Sequence, residues 1–243
     1  MQVKLGVPSK GRLMEKTFDW FGQRGVSLRR TGEAREYAGA VEGVEGVELV
    51  LLSASEIPRE LAAGRIHLGV TGSDLVREDL ADWAGQLVEM VPMGFGHADL
   101  VVAVPKAWVD VETLDDLDAV AAAFRVRHGF RLRIATKYHR LVREYLRAHG
   151  VADYQLVDSQ GATEGTVKNL TAEAIADITS SGETLRANHL KILSDPPVHQ
   201  SQATLFATRM ADWSENQAVL AAFVARLGIA LPTDLKVGIV SDG

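Results

Sequence analysis

The chain contains no cysteine. That absence excludes disulfides, thiolate nucleophiles and any zinc site built on sulfur. Its seven histidines are scattered, with no pair three or four residues apart, so a histidine-based zinc cage is not expected either. An excess of positive charge is also missing. The 26 Lys and Arg against 32 Asp and Glu leave a net charge of -6, whereas a nucleic-acid-binding surface usually makes a chain basic. No run approaches the roughly 20 apolar residues that a membrane-spanning helix requires. No apolar segment follows a charged N-region as in a secretory signal. No internal repeat or low-complexity linker interrupts the chain. These absences set the expectation of a soluble, cytoplasmic protein with neither nucleic acid nor membrane as partner.

What is present is an ordinary globular composition, 47% hydrophobic over 243 residues, enough for one large domain or two small ones with real cores. Short apolar runs alternate with amphipathic segments, the pattern of an α/β fold. Strands are expected at 3–7, 47–52, 66–70, 100–104, 132–135, 154–157, 174–178, 190–193 and 204–207. Helices are expected at 11–24, 56–63, from Thr113 through Val120, at 138–149 and after Ser214, with Ser73, Thr113 and Ser214 as N-caps. The continuity of this pattern points to two α/β lobes. Residues 1–95 and 190–243 form lobe I and residues 96–189 form lobe II, with Gly94-Phe95-Gly96 as a candidate hinge. Ligands in such folds sit beyond the carboxyl ends of strands, and here also between the lobes.

The segment with the most chemistry runs from Ala174 to Leu185. A short apolar run carries one carboxylate, Asp177, and then breaks into Thr179-Ser180-Ser181-Gly182-Glu183-Thr184 before a helix start. A carboxylate can accept hydrogen bonds from ribose hydroxyls. Small hydroxyl residues and a glycine let backbone N–H groups close around a phosphate at a helix N-terminus. Glu164, in Gly161-Ala162-Thr163-Glu164, reads alone as a capping residue. Paired with Asp177 it can bind ribose hydroxyls and hold Mg2+ through the ligand's own oxygens.

Two further strand–helix turns have a similar design. Pro8-Ser9-Lys10-Gly11-Arg12-Leu13 places two cations around a glycine at the mouth of the first helix, suited to a pyrophosphate or triphosphate. The same spacing suits a plain turn with solvated charges. Gly69-Val70-Thr71-Gly72-Ser73-Asp74 repeats the arrangement, and there Asp74 can simply favour the helix dipole. Thr136 and Lys137 end the strand that begins after Arg131 and can reach a phosphate or a base. The run Arg125, Arg127, His128, Arg131 and Arg133 reads as a solvated loop or a partner surface rather than a catalytic cluster.

Taken together, Pro8–Leu13, Gly69–Asp74, Ile134-Ala135-Thr136-Lys137-Tyr138 and Asp177–Asn188 occur in an order that resembles the ATP phosphoribosyltransferases, which open histidine biosynthesis. The resemblance covers nearly the whole chain. It implies a two-lobed α/β fold like that of periplasmic binding proteins, with the active site in the cleft between the lobes. It implies that Asp177 and Thr179–Thr184, with Glu164 nearby, bind phosphoribosyl pyrophosphate, and that Lys10 and Arg12 face that cleft as the charge-neutralising catalytic pair. Gly72, Ser73, Asp74, Thr136 and Lys137 complete the substrate-binding set. Mg2+ is implied as cofactor, held mainly by substrate phosphates. The little sequence after Gly228 resembles the short form of the family. The short form implies a homodimer and a hetero-oligomer with a histidyl-tRNA-synthetase-like regulatory subunit. His139, where the family often has proline, and the polar Thr166-Val167-Lys168-Asn169 depart from the pattern. Residue spacing alone also admits a non-catalytic solute-binding protein. The effector domain of a transcription regulator would need a DNA-binding helix pair that neither terminus offers.

Overall fold

A computed structural model describes residues 2–30, 38–159, 163–232 and 235. The chain divides into two compact units, one of residues 1–96 and 202–243 and one of residues 97–201.

The first unit opens with β1 (Val3–Pro8), α1 (Gly11–Gly22), β2 (Ser27–Arg30), β3 (Ala38–Glu42) and β4 (Val47–Leu52). There follow α2 (Ile57–Ala62), β5 (Leu68–Gly72), α3 (Ser73–Asp79), α4 (Trp83–Gln86) and β6 (Leu87–Pro92). Its seven-stranded sheet has the order β2-β3-β4-β1-β5 and is completed by a late strand, described below, and β6. β1 runs parallel to both β4 and β5, with Pro8 opposite Leu52 and Leu5 opposite Leu68. The strands β1, β4 and β5 are apolar on alternate residues, and the alternation sorts them between two helical layers. Leu68 and Val70 join Trp20 and Phe21 of α1 in one core. Gly69, between them, faces α2, where a Cβ would lie 2.7 Å from Ile57 Cγ2 and 2.9 Å from Leu61 Cδ1. The missing side chain is what lets α2 lie close to the strand.

The second unit holds β7 (Ala98–Pro105), α5 (Leu114–His128), β8 (Leu132–Thr136), α6 (His139–Ala148) and β9 (Tyr154–Asp158). It continues with α7 (Gly165–Lys168), β10 (Ala174–Thr179), α8 (Glu183–Ala187), β11 (Leu190–Ile192) and β12 (His199–Ser201). The sheet order is β11-β7-β10-β8-β9, with β12 also on β7. β8, β9 and β10 are parallel to one another, while β7 is antiparallel to β10. One face of the sheet packs Val101, Ala103, Ala135 and Ile175 against Leu185 of α8 and Leu190. α5 and α6 bury Leu114, Leu117 and Ala121, and Val142 and Leu146. The chain then returns to the first unit with β13 (Ala203–Thr208) and α9 (Gln217–Leu227). β13 is antiparallel to β5 and β6, sending Ala203, Leu205 and Ala207 to the α1 and α9 side and Phe206 to the α2 side.

Several sequence expectations are corrected. Residues 190–201, assigned to lobe I, pair with β7 through Lys191 opposite Val104 and His199 opposite Leu100, so the chain leaves the second unit only at 201. The short apolar run at 190–193 reads the same whichever sheet it joins, so its partner is a tertiary decision. Ser73 and Ser214 do not cap. Ser73 is the first residue of α3, buried, with Gly72 at the N-cap, and the N-cap of α9 is Asn216. Thr113 does cap α5, in a reciprocal capping box with Asp116, but the helix runs on to His128 rather than ending at Val120.

Candidate functional site

Parallel strands end together, and in each unit those ends collect the polar residues. In the second unit, Thr136 closes β8 opposite Asp158 of β9 and opposite Ala176 of β10, one residue before Asp177. The register therefore brings Thr136-Lys137, Asp158-Ser159 and Asp177–Thr184 to one edge of one sheet. Thr136 is fully buried and structural in part: its hydroxyl accepts from the Tyr138 N–H at 3.0 Å and its carbonyl from the Ser159 N–H at 3.3 Å. Lys137 beside it is exposed.

The turn after β10 is built by its own side chains. Thr179 Oγ1 accepts from the Gly182 N–H at 2.8 Å, and Ser181 Oγ from the Glu183 N–H at 3.4 Å. Gly182 caps α8 with φ of 70°, the left-handed conformation that glycine adopts without strain. Ser180, Ser181, Glu183 and Thr184 are exposed, and Asp177 is half-buried. One Asp177 oxygen accepts from the Ile178 N–H at 2.8 Å. Glu164 lies at the N-cap of α7 and its side chain makes no cap bond. Gly161 and Ala162 of its motif lie outside the described residues.

Sequence reading missed two members of this edge, Asp158 and Ser159, and named Thr163 only as a neighbour of Glu164. Asp158 ends β9 and faces His139 Nε2 at 3.3 Å. Ser159 and Thr163, both buried, join hydroxyl to hydroxyl at 2.9 Å and so fix the approach to Glu164. The available signal was a polar Asp-Ser pair ending an apolar run, the same signature that drew attention to Asp177.

The first unit repeats the arrangement at the ends of β1, β4 and β5. Lys10 and Arg12 are exposed around Gly11, whose φ is 73° and whose missing Cβ would meet nothing within 4 Å. Lys10 is the N-cap of α1, without a side-chain cap bond, and no acidic residue occupies the first turn. The helix start is thus left electropositive. The Ser9 N–H donates to the Leu52 carbonyl at 2.7 Å, and Thr71 Oγ1 donates to the Ala54 carbonyl at 2.7 Å. These bonds tie the loop 53–56, which sequence reading passed over, to the two loops it had chosen. There Glu56 accepts from the Ser53 hydroxyl at 2.7 Å and the Ser53 N–H at 3.0 Å, and these bonds hold its carboxyl below the usual range. Gly72 is half-buried, and Ser73 and Asp74 are buried, so this turn offers backbone more than side chain.

Among the described residues, no group of three or more His, Asp or Glu is placed to hold a metal ion. Isolated carboxylates such as Asp177 and Asp158 suit a hard cation that arrives with most of its ligands supplied by phosphate oxygens and water, which is how Mg2+ is commonly held. No helix among the described residues is long and apolar enough to cross a membrane.

The fold and these strand ends define a two-unit α/β protein with a turn of small hydroxyl residues at the end of β10. Comparison with known proteins makes the class specific. The family described as HisG: ATP phosphoribosyltransferase matches residues 53–228. An ATP phosphoribosyltransferase from Cereibacter sphaeroides is 78% identical over 97% of this chain and 100% of its own length. One from Mesorhizobium japonicum is 48% identical over 94% of this chain and 99% of its own. A Bradyrhizobium relative is 52% identical over 87% of this chain, which spans only 65% of that longer protein. Among solved structures, the ATP phosphoribosyl transferase (HisG:HisZ) complex from Thermotoga maritima superposes with a TM-score of 0.70 at 22% identity, over 93% of this chain and 96% of that one. A double mutant of the VFT2 domain of Bordetella pertussis BvgS gives 0.51 at 14% identity over 96% and 90%, a likeness of fold alone.

The chain belongs to the ATP phosphoribosyltransferase family. It transfers the phosphoribosyl group of phosphoribosyl pyrophosphate to ATP, the first step of histidine biosynthesis.

Proposed function

We propose that the strand ends of the second unit bind phosphoribosyl pyrophosphate and that Lys10 and Arg12 of the first unit serve the pyrophosphate. The observation that carries this assignment is the turn 179–184, shaped by the Thr179–Gly182 bond, with Ser180, Ser181 and Thr184 exposed at a helix start. Such a turn takes the 5-phosphate of the sugar. Asp177, at its entrance, accepts from ribose hydroxyls, with Glu164 as second carboxylate and Thr136 and Lys137 at the adjoining strand end. The loop Gly72-Ser73-Asp74, which follows β5 next to β1, serves the ATP phosphates.

In the reaction, the lone pair of adenine N1 attacks C1 of the sugar with inversion. The C1–O bond breaks and its electron pair leaves on pyrophosphate. The ring carbon develops oxocarbenium character, as in other glycosyl transfers. A neutral ring nitrogen needs no general base, so the chain's task is orientation and charge. Lys10 and Arg12 stabilise the negative charge that grows on the leaving group. Anchoring of the 5-phosphate fixes C1 for attack. Asp177 and Asp158 are the carboxylates that would stand near a Mg2+ ion arriving with the substrate phosphates, and such an ion would supply further neutralisation.

The partner reading follows from the assembly named for the Thermotoga structure. The chain works in the cytoplasm, forms a homodimer and associates with a histidyl-tRNA-synthetase-like regulatory subunit. Asp177→Asn tests the site assignment. A hydrogen bond to a charged group contributes about 1.5–3 kcal/mol, so the dissociation constant for phosphoribosyl pyrophosphate should rise by roughly one to two decades. Titration calorimetry showing unchanged affinity, in a variant of unchanged melting temperature, would remove Asp177 from the ribose site.

A further inference from the structure

The helix α5 is longer than the sheet that supports it. Its buried residues are Leu114, Leu117 and Ala121, and every residue from Ala122 to His128 is exposed or half-buried. At about 1.5 Å per residue, roughly two turns project past the core. The projection is braced by local contacts. Gly129 ends the helix in the left-handed conformation and turns the chain back. Phe130 then meets the Phe124 ring edge-on at 5.3 Å, and His128 lies 4.2 Å from Phe124 between ring centres. The Arg133 guanidinium sits 5.6 Å over Phe130. Apolar surface is nonetheless left out: Val126 is 88% exposed and Phe130 45%.

This tip is surrounded by cations. Residues 125–149 hold seven arginines and one lysine against one carboxylate, in a chain of net charge -6. Arg125 pairs with Asp153, Arg133 with Glu173 and Arg140 with Glu144. Among the described residues no carboxylate pairs with Arg127, Arg131, Arg143 or Arg147. Arg131, Arg143 and Arg147 line a groove of about 400 Å³ along the start of β9, the edge strand of its sheet. The Arg125–Asp153 pair joins this groove to the α5 tip.

An exposed phenylalanine beside an exposed valine, ringed by arginines, is the composition of an interface centre, where aromatic residues and arginine are enriched over the rest of the surface. The charge decides the occupant. A two-fold contact of this face with itself would set arginines against arginines, and like charges at close range disfavour it. The apolar tip distinguishes the face from a purely electrostatic track for phosphates. We propose that the α5 tip and the arginine groove dock an acidic, apolar-centred face of a partner protein. This rests on the reading that the chain associates with a histidyl-tRNA-synthetase-like subunit, and it identifies that subunit as the occupant.

The experiment measures binding of the full chain to that subunit from the same organism, by calorimetry at low and moderate salt. The variants are Val126→Asp, Arg127→Glu with Arg131→Glu, and Arg143→Glu with Arg147→Glu. All are surface changes, and circular dichroism and the turnover of the isolated chain control for folding. The expected result is a dissociation constant at least tenfold weaker for each variant and a weaker salt dependence for the arginine pairs. A wild-type chain that binds while all variants bind equally well overturns the docking face and leaves the partner reading standing. A wild-type chain that does not bind at all overturns both. Binding of a labelled RNA oligonucleotide that is lost in the arginine variants, with the subunit still bound, also overturns the proposal and makes the face a nucleic-acid surface.

Discussion

At the scale of single residues, Gly182 and His67 carry the sharpest expectations. A Cβ on Gly182 would sit 3.0 Å from Arg186 Nη1 and 3.4 Å from Ile192 Cδ1, on a backbone with φ of 70°. The left-handed conformation costs a non-glycine residue about 1–2 kcal/mol. Gly182→Val should therefore lower the melting temperature slightly and raise the KM for phosphoribosyl pyrophosphate by more than tenfold, with the KM for ATP little changed. An equal rise in both would argue against a turn dedicated to one substrate. His67 is half-buried, and burial first, then the charge of Lys4, lowers its pKa. Its Nδ1 accepts from the Lys4 N–H at 3.1 Å, a bond that a proton on Nδ1 would oppose. The depressed value means that the unfolded chain takes up the proton first. His67 thus contributes stability that is whole above the ordinary histidine range and is lost as pH falls through its folded value. Between pH 7.5 and 5.5 the wild type should lose more melting temperature than His67→Gln. Equal losses would show that another group governs the acid limb.

At the scale of elements, α5 shows how local chemistry and tertiary contact divide the work. Thr113 Oγ1 accepts from the Asp116 N–H at 3.3 Å, Asp116 accepts from the Thr113 N–H at 2.9 Å, and Asp195 accepts from the Leu114 N–H at 2.8 Å. The start of the helix was readable from the Thr-x-x-Asp spacing. Its end was not, because Val120–His128 lacks the apolar periodicity that marks a buried face, and an overhanging helix has none. Thr113→Ala should cost about 1 kcal/mol of stability in a denaturant titration, a typical value for a lost N-cap. An undiminished midpoint would mean that Asp195 alone holds that end. The misread caps at Ser73 and Ser214 have the same origin in reverse. A serine before a helix is a capping signal only if the backbone at that residue stays extended, and at Ser73 it has already entered the helix.

At the scale of the molecule, each unit has its own sheet, core and polar strand ends. Ribose 5-phosphate, which lacks the pyrophosphate, should slow amide exchange at 136–139 and 177–187 of the second unit and leave 9–13 of the first unchanged, whereas phosphoribosyl pyrophosphate should slow all three segments. Saturation at a hundredfold over the dissociation constant should stabilise the chain by about 2.7 kcal/mol. Protection of 9–13 by ribose 5-phosphate, or none there with phosphoribosyl pyrophosphate, would contradict the division of labour between the turn at 179–184 and Lys10 with Arg12.

The sequence by itself determined the α/β class, most of the strands and the turn at Asp177–Thr184. These are local matters: apolar periodicity, glycine where φ is positive, and small hydroxyls where a backbone must stay open. Family resemblance extended that reading to the reaction, as the matched family and its close relatives bear out. The tertiary structure alone decided that residues 190–201 stay on β7, that Asp158, Ser159 and Thr163 share an edge with Asp177, and that α5 outruns its sheet. Those outcomes depend on which strand pairs with which and in what register. Residues far apart in the chain settle such pairings by burying their common surface, and no local spacing records the result.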